Sequence, residues 1–244
     1  MLGVRTGSEA YPGAAVLGVE AAWRTGLGMV RYLGPAHDLV LARRPETVTS
    51  DGRVQAWLIG SGTDAAQRSP AETAAIRGIL AADLPVVLDA GALDLAAGAA
   101  APVIVTPHDR EHARLREALG LDSPRDRRAD AVETARVLGG VVLLKGSTTL
   151  VADGTGRVIP VDVAVPWLAT AGTGDVLGGV LGALVAGSAD ADADLAEVAA
   201  SAAWLHARAA ELAASAHGPV GGPITALDVA EALPRAVGEV LASA

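Results

Sequence analysis

Val141-Val142-Leu143-Leu144-Lys145-Gly146-Ser147-Thr148-Thr149 reads as a strand of four apolar residues, then a lysine, then a turn of small and hydroxyl-bearing residues. A strand with one solvated face alternates apolar and polar side chains. This one does not, so it predicts helical cover on both faces and a largely parallel sheet. Val54 to Ile59, Pro85 to Leu88, Val103 to Val105 and Thr149 to Ala152 are further strand candidates, bounded by Gly, Pro or Asp. Helical spacing marks Ala14 to Gly26, Pro70 to Ala82, Glu111 to Leu119 and Ala129 to Leu138, so strand and helix alternate. Asp175 to Ala186, Leu195 to Ser215 and Ala226 to Ala244 predict long closing helices. Ser188 to Asp194 is a small acidic loop and His217 to Pro223 a Gly/Pro-rich one, and neither reads as a domain linker. The pattern predicts a single α/β domain over 1–244, with ligands at the carboxyl ends of its strands.

Composition narrows the function classes. With 51% hydrophobic residues and no Phe, a sizeable core is built from small aliphatic side chains. The net charge of -9 and the lack of a basic stripe with interleaved aromatics argue against nucleic-acid binding. Without Cys there is no disulfide framework, thiol nucleophile or Cys-ligated metal site. The Ala-rich runs are interrupted well short of the ~18 apolar residues of a membrane span, and the N-terminus lacks a signal pattern, so a cytoplasmic protein is expected. Of the 19 basic residues only Lys145 is a lysine. An ammonium is a compact point charge and a guanidinium a planar fork, so a site needing the first resists the second.

Four segments carry chemistry. Ala171-Gly172-Thr173-Gly174-Asp175 is a Gly-rich turn opening a helix, where unpaired amides and the helix dipole form an anion site. Asp175 would repel that anion, and is better suited to taking a proton from an attacking hydroxyl, unless it merely stabilises its own helix terminus. The 141–149 segment delivers Lys145 to offset phosphate charge, with Gly146, Ser147, Thr148 and Thr149 lying against a nucleotide. Val103-Ile104-Val105-Thr106-Pro107-His108 ends a strand, with His108 and Glu111 facing the same crevice. Asp89, after Val86-Val87-Leu88, either orients a metal-bound water or caps the next helix, and local sequence favours the cap. The turns containing Gly7 to Gly13 and Gly60 to Gly62 complete the set. His37, His112 and His206 lack partners at helical spacing, so no zinc site is expected.

Taken in order, these segments resemble the ADP- or ATP-dependent NAD(P)H-hydrate dehydratase family, which has a ribokinase-like fold. The likeness runs from Gly7 to about Val237 through Gly7-Ser8 and Gly13-Ala14, Arg24-Thr25-Gly26-Leu27-Gly28-Met29-Val30, Leu88-Asp89-Ala90, Thr106-Pro107-His108, Leu144-Lys145-Gly146, Gly172 to Asp175 and Ala226-Leu227-Asp228-Val229. It implies a three-layer sandwich, a predominantly parallel sheet with helices on both faces. It also implies repair of NADH or NADPH hydrated on the nicotinamide ring, in the S epimer: a nucleotide phosphorylates the ring hydroxyl and phosphate then leaves. By resemblance, Asp175 is the base, the Gly172, Thr173 and Gly174 amides form the anion hole, and Lys145 to Thr149 with Gly174 hold ADP or ATP. Ala14, Gly62, His108 and Asp175 contact the hydrated cofactor. Mg²⁺ bridges the nucleotide phosphates with no dedicated protein cage assigned, Asp89 and Glu111 acting at most through water. The resemblance further implies a homo-oligomer, a tetramer being one form. Relatives often carry more sequence ahead of the first strand, sometimes an epimerase domain, and only six residues precede Gly7 here, so the chain reads as trimmed or naturally short. Arg5 stands where an apolar strand residue is expected, the Gly60 to Thr63 turn is shorter than in many relatives, and Asp109-Arg110 replaces a frequent Pro-Gly. Two other readings use the same residues: a ribokinase-like kinase for a thiazole or pyrimidine alcohol, and a silent nucleotide-binding or scaffold protein.

Overall fold

The computed structural model describes residues 1–123, 125–163, 165–188 and 193–243. Most of the expected loop Ser188 to Asp194, and the last residue of the expected C-terminal helix, therefore lie outside the described residues. The strands are β1 (Leu2–Arg5), β2 (Val30–Tyr32), β3 (Ala56–Ile59), β4 (Val86–Leu88), β5 (Val103–Val105), β6 (Val141–Leu144), β7 (Thr148–Asp153) and β8 (Val158–Asp162). They form one sheet in the order β2-β1-β3-β4-β5-β6-β7-β8, parallel from β2 to β6 and antiparallel for β7 and β8. The chain leaves β1 for β2 on one side and returns to β3 on the other. This reversal opens a crevice at the carboxyl ends of β1 and β3.

The apolar runs divide by alternate residues between two cores. Leu58, Val87, Ile104 and Leu143 face a core with α1 (Pro12–Arg24), α2 (His37–Arg43), α6 (Thr173–Gly187), α7 (Leu195–Ser215) and α8 (Ala226–Ser243). Ile59, Leu88, Val105 and Leu144 face the other, with α3 (Pro70–Leu80), α4 (Asp109–Ala118) and α5 (Arg127–Leu138). Each strand thus needs apolar side chains at every position, which is why the expected three-layer sandwich with helices on both faces is found.

Three strands and one helix escaped the periodicity reading. β2 is three residues with an arginine at its centre, β8 carries Pro160 at the sheet edge, and β1 contains Gly3. Helix α2 spans only seven residues. The doubt about Arg5 resolves in favour of a buried strand. Leu2 and Val4 are fully buried, and Arg5, at the strand's last position, sends its guanidinium to Glu72 at 2.6 Å.

Helix α1 is held in two ways. Its Gly18 backbone so closely approaches Gly179 of α6 that a side chain at 179 would collide with the Gly18 carbonyl, which explains the glycines on that apolar helix. At its other end the fully buried Glu20 carboxylate accepts from Arg24, Arg43 and Arg44. Burial pushes this carboxyl up, but the three guanidiniums outweigh burial and hold it near 2.

Candidate active site

Helix α6 begins at the carboxyl edge of the sheet. Its cap, Gly172, has φ 90°, a left-handed conformation, and a side chain there would meet Leu17 Cδ1 at 2.6 Å. Glycine is therefore required on two counts. No side chain caps this helix, and among the described residues the Gly174 and Asp175 amides donate to no protein acceptor. Free amides at the positive end of a helix dipole attract an anion.

Asp175 lies in that first turn, and its carboxylate accepts no hydrogen bond among the described residues. It makes no capping hydrogen bond, and as an acid in the first turn it lies at the positive end of the helix dipole. Burial pushes the carboxyl up, the negative charge of Asp89 adds to it, and Lys145 pulls the other way, leaving a value of about 6. A carboxyl there is largely ionised at neutral pH yet retains real affinity for a proton.

Asp89 overturns the local expectation of a helix cap. It occupies the cap position of the 3-10 turn Ala90–Leu95 but makes no capping bond. Instead its Oδ1 accepts from Thr106 Oγ1 at 2.8 Å and Lys145 Nζ at 2.9 Å, and its Oδ2 from Ser61 Oγ at 2.9 Å. Buried at the centre of the strand ends, it earns more from these three donors than from one amide. Burial raises its carboxyl, but the Lys145 charge and the hydroxyls prevail and hold it below the ordinary carboxylate range.

Lys145 follows β6, its amide donating to the Pro107 carbonyl at 2.9 Å. Its ammonium sits between Asp89 and Glu111 Oε2, the latter 3.8 Å away, and 3.7 Å from where a side chain on Gly174 would begin. Burial alone would lower it, and Asp89 and Glu111 instead raise it, so it stays charged. The single lysine is thereby delivered to the mouth of α6.

The remaining expected residues gather round this centre. His108 pairs with Lys145 in an isolated bridge and caps α4: its Nδ1 accepts from the amides of Arg110 and Glu111, while Glu111 Oε2 accepts from the His108 amide at 2.8 Å. Its ring stays half exposed, so the capping role leaves one face free. Ala14, in the first turn of α1, touches the Gly62 turn so closely that a side chain on Gly62 would collide with its methyl group. Gly146 and Ser147 form the bend between β6 and β7, and Thr148 and Thr149 begin β7. Thr173 is pinned by its hydroxyl to the Leu168 and Thr170 carbonyls, both at 2.8 Å.

Sequence reasoning did not single out Ser61 and Thr106 as Asp89's partners, although each stands just beyond a buried strand. It also set His206 aside. This histidine of α7 is buried, lies against the Thr173 backbone, and its Nε2 has no hydrogen-bond partner among the described residues. Burial brings it down to about 4, so it is neutral.

Beside the centre, a cavity of about 610 Å³ opens at the β1/β3 crevice between Gly7, Tyr11, Gly60 and Thr63. A second of about 390 Å³ shares Tyr11 and Thr63 and reaches Glu111. Neither is lined by Asp89, Lys145 or Asp175; Glu111, 3.8 Å from the Lys145 ammonium, is the point at which the second approaches the centre. Among the described residues no three His, Asp or Glu side chains gather as a metal-holding group, and no helix is long and apolar enough to cross a membrane.

Comparison with known proteins finds relatives along the whole of this domain. The bifunctional NAD(P)H-hydrate repair enzyme Nnr of Mycobacterium leprae is 43% identical over 92% of this chain and 48% of its own length. The chain spans about half the length of such bifunctional relatives. The ADP-dependent (S)-NAD(P)H-hydrate dehydratase of Neisseria meningitidis serogroup B is 34% identical, over 91% of this chain and 79% of that protein. The crystal structure of the ADP/ATP-dependent NAD(P)H-hydrate dehydratase from Bacillus subtilis, co-crystallised with ATP/Mg²⁺, superposes with a TM-score of 0.80 at 28% identity, covering 98% of this chain and 88% of that one. A hydroxyethylthiazole kinase from Pyrococcus horikoshii, at 17% identity and a TM-score of 0.66, shares the fold. A family model for NAD(P)H-hydrate dehydratase matches residues 2–235, and the chain therefore belongs to the NAD(P)H-hydrate dehydratase family.

Proposed function

We propose that residues 1–244 act as one domain that dehydrates the S epimer of hydrated NADH or NADPH at the expense of ADP or ATP. The observation that carries the reading is the Asp175 carboxylate, which accepts no hydrogen bond among the described residues and is raised to about 6, at the mouth of α6 near the Lys145 ammonium. In this reading Asp175 takes the proton of the ring hydroxyl as the hydroxyl oxygen attacks the terminal phosphorus of the nucleotide, and the bond from that phosphorus to its bridging oxygen breaks, releasing AMP from ADP or ADP from ATP. The amides of Gly172 and Gly174, joined by that of Thr173 as it gives up its long 3.4 Å bond to the Thr170 carbonyl, hold the moving phosphoryl group, and Lys145 offsets its charge. Phosphate, a far better leaving group than hydroxide, then departs with the electrons of the ring C–O bond while the adjacent ring carbon gives up a proton to water or to the departing phosphate, and the new C=C restores the dihydronicotinamide. Lys145, Gly146, Ser147, Thr148, Thr149 and Gly174 hold the nucleotide, and Ala14, Gly62 and His108 contact the hydrated cofactor.

Mg²⁺ enters with the nucleotide, neutralising charge on its phosphates. The Asp89 oxygens already accept three bonds and Glu111 one, so both fit a water-mediated role better than direct ligation. The reading includes a cytoplasmic setting and assembly as a homo-oligomer. Supporting the latter is an apolar groove of about 560 Å³ where Ile159 and Val161 of edge strand β8 meet Trp204 and Val240. The test is incubation with hydrated NADH, Mg²⁺ and ADP or ATP, followed at the absorbance of reduced nicotinamide. Recovery of that absorbance with release of phosphate is expected. A stable phosphorylated alcohol without recovery identifies a small-molecule kinase, and nucleotide binding without turnover a silent binder.

A further inference from the structure

Arg127 is the first residue of α5, directly after its Asp126 cap, and its part-exposed guanidinium reaches to the bend between β6 and β7. Nη2 donates to the Lys145 carbonyl at 3.0 Å, Nη1 to the Thr148 carbonyl at 3.1 Å, and Nε to Asp109 Oδ1 at 2.8 Å. The bend between β6 and β7 therefore wraps around the fork. Gly146 lies directly over it: a methyl group there would stand 2.5 Å from Arg127 Nη2. The Ser147 carbonyl is occupied as well, by the Val163 amide at 3.0 Å.

The consequence follows from peptide geometry. In a trans peptide the C=O and N–H point in opposite directions, so a carbonyl drawn toward Arg127 turns the next amide away from it. The Gly146 amide belongs to the peptide whose carbonyl Arg127 holds. Among the described residues neither the Gly146 nor the Ser147 amide donates to a protein acceptor. The bend thus engages the carbonyls of Lys145, Ser147 and Thr148, whose dipoles would repel phosphate, and leaves the Gly146 and Ser147 amides available to an anion.

We propose that Arg127 is a positioning residue for the nucleotide. It shapes the 145–149 bend into an amide-presenting cradle, and through Asp109 it ties that bend to the turn carrying His108. A planar fork is needed because two carbonyls and a carboxylate must be reached from one point, which a lysine ammonium does not do in the same geometry. The inference rests on the reading of this bend as the nucleotide site.

The experiment is equilibrium titration of the full chain with ADP and with ATP in the presence of Mg²⁺, joined to steady-state kinetics, for wild type, R127A, R127K and G146A, and for G146A combined with R127A. Loss of the fork is expected to weaken nucleotide binding and raise the nucleotide KM about tenfold or more, while kcat at saturating nucleotide and the KM for hydrated cofactor stay within about twofold. R127K keeps the charge and rescues only part of the affinity. G146A is expected to weaken binding in the wild type and to add little in R127A, because the atom it collides with is gone. Nucleotide affinity unchanged in R127A or, should that variant not fold, in R127K would overturn the inference alone, as would fully additive effects of G146A and R127A. Failure of the wild-type chain to bind either nucleotide would overturn the nucleotide reading itself and this inference with it.

Discussion

Asp89 and Asp175 stand on the same edge of the sheet, close enough for each charge to be felt by the other, and the fold treats them in opposite ways. Asp89 receives two hydroxyls and an ammonium and is held below the ordinary carboxylate range. Asp175 receives no hydrogen bond among the described residues and is raised to about 6. A carboxylate saturated with donors has little left for a substrate proton, whereas an unpartnered one retains it. One aspartate therefore serves to hold Lys145 in place, and the other is free for chemistry.

The largest effect should come from the free carboxylate. Asp175→Asn is expected to lower turnover on the order of 10²–10⁴-fold while nucleotide affinity stays within about twofold, read by recovery of nicotinamide absorbance and by equilibrium binding. Equal losses in both quantities would remove the distinction between the two aspartates. Substituting the saturated one should act on stability first. Asp89→Asn leaves the Lys145 ammonium only the more distant Glu111 carboxylate at 3.8 Å, and about 2–3 kcal/mol of unfolding free energy should be lost in denaturant titration. A variant as stable as wild type would show that the network holds nothing.

Next comes the lysine between them. Lys145→Arg preserves charge but not shape, and about a tenfold loss of nucleotide affinity is expected, read by titration calorimetry. Smallest is a gain. Because the folded-state value of Asp175 is raised from 3.8 to about 6, its contribution to stability is fully present below pH 3.8 and lost as pH rises through about 6. Above that, the native state bears the cost of ionising it. Asp175→Asn should therefore be about 1–2 kcal/mol more stable than wild type at pH 7, with no such advantage at pH 4, as measured by denaturant midpoints. The same shift predicts that wild-type kcat/KM rises with pH through an apparent value near 6.

How much of this was legible in the chain differs between the two aspartates. Asp175 announces itself within five residues, because a glycine turn and the helix that follows are local features. Asp89 does not: its partners Thr106, Ser61 and Lys145 lie 17, 28 and 56 residues away, and only parallel strand ends bring them together. Read alone, the sequence around Asp89 favours a cap, and tertiary donors win. Arg127 was hidden for the same reason, lying 18 residues before the Lys145 carbonyl it holds and in no motif of its own. The layered architecture was readable because β4, β5 and β6 are apolar at every position. β2 was not, since three residues around Arg31 show no periodicity.

The direct test is to titrate both side chains at once, following the carboxyl carbons of aspartate-labelled protein by NMR, with Asp175→Asn and Asp89→Asn giving the assignments. The account predicts that Asp175 takes up its proton near pH 6 while Asp89 remains ionised to below the ordinary carboxylate range. Asp175 titrating at an unshifted value, or the two exchanging places, would contradict it.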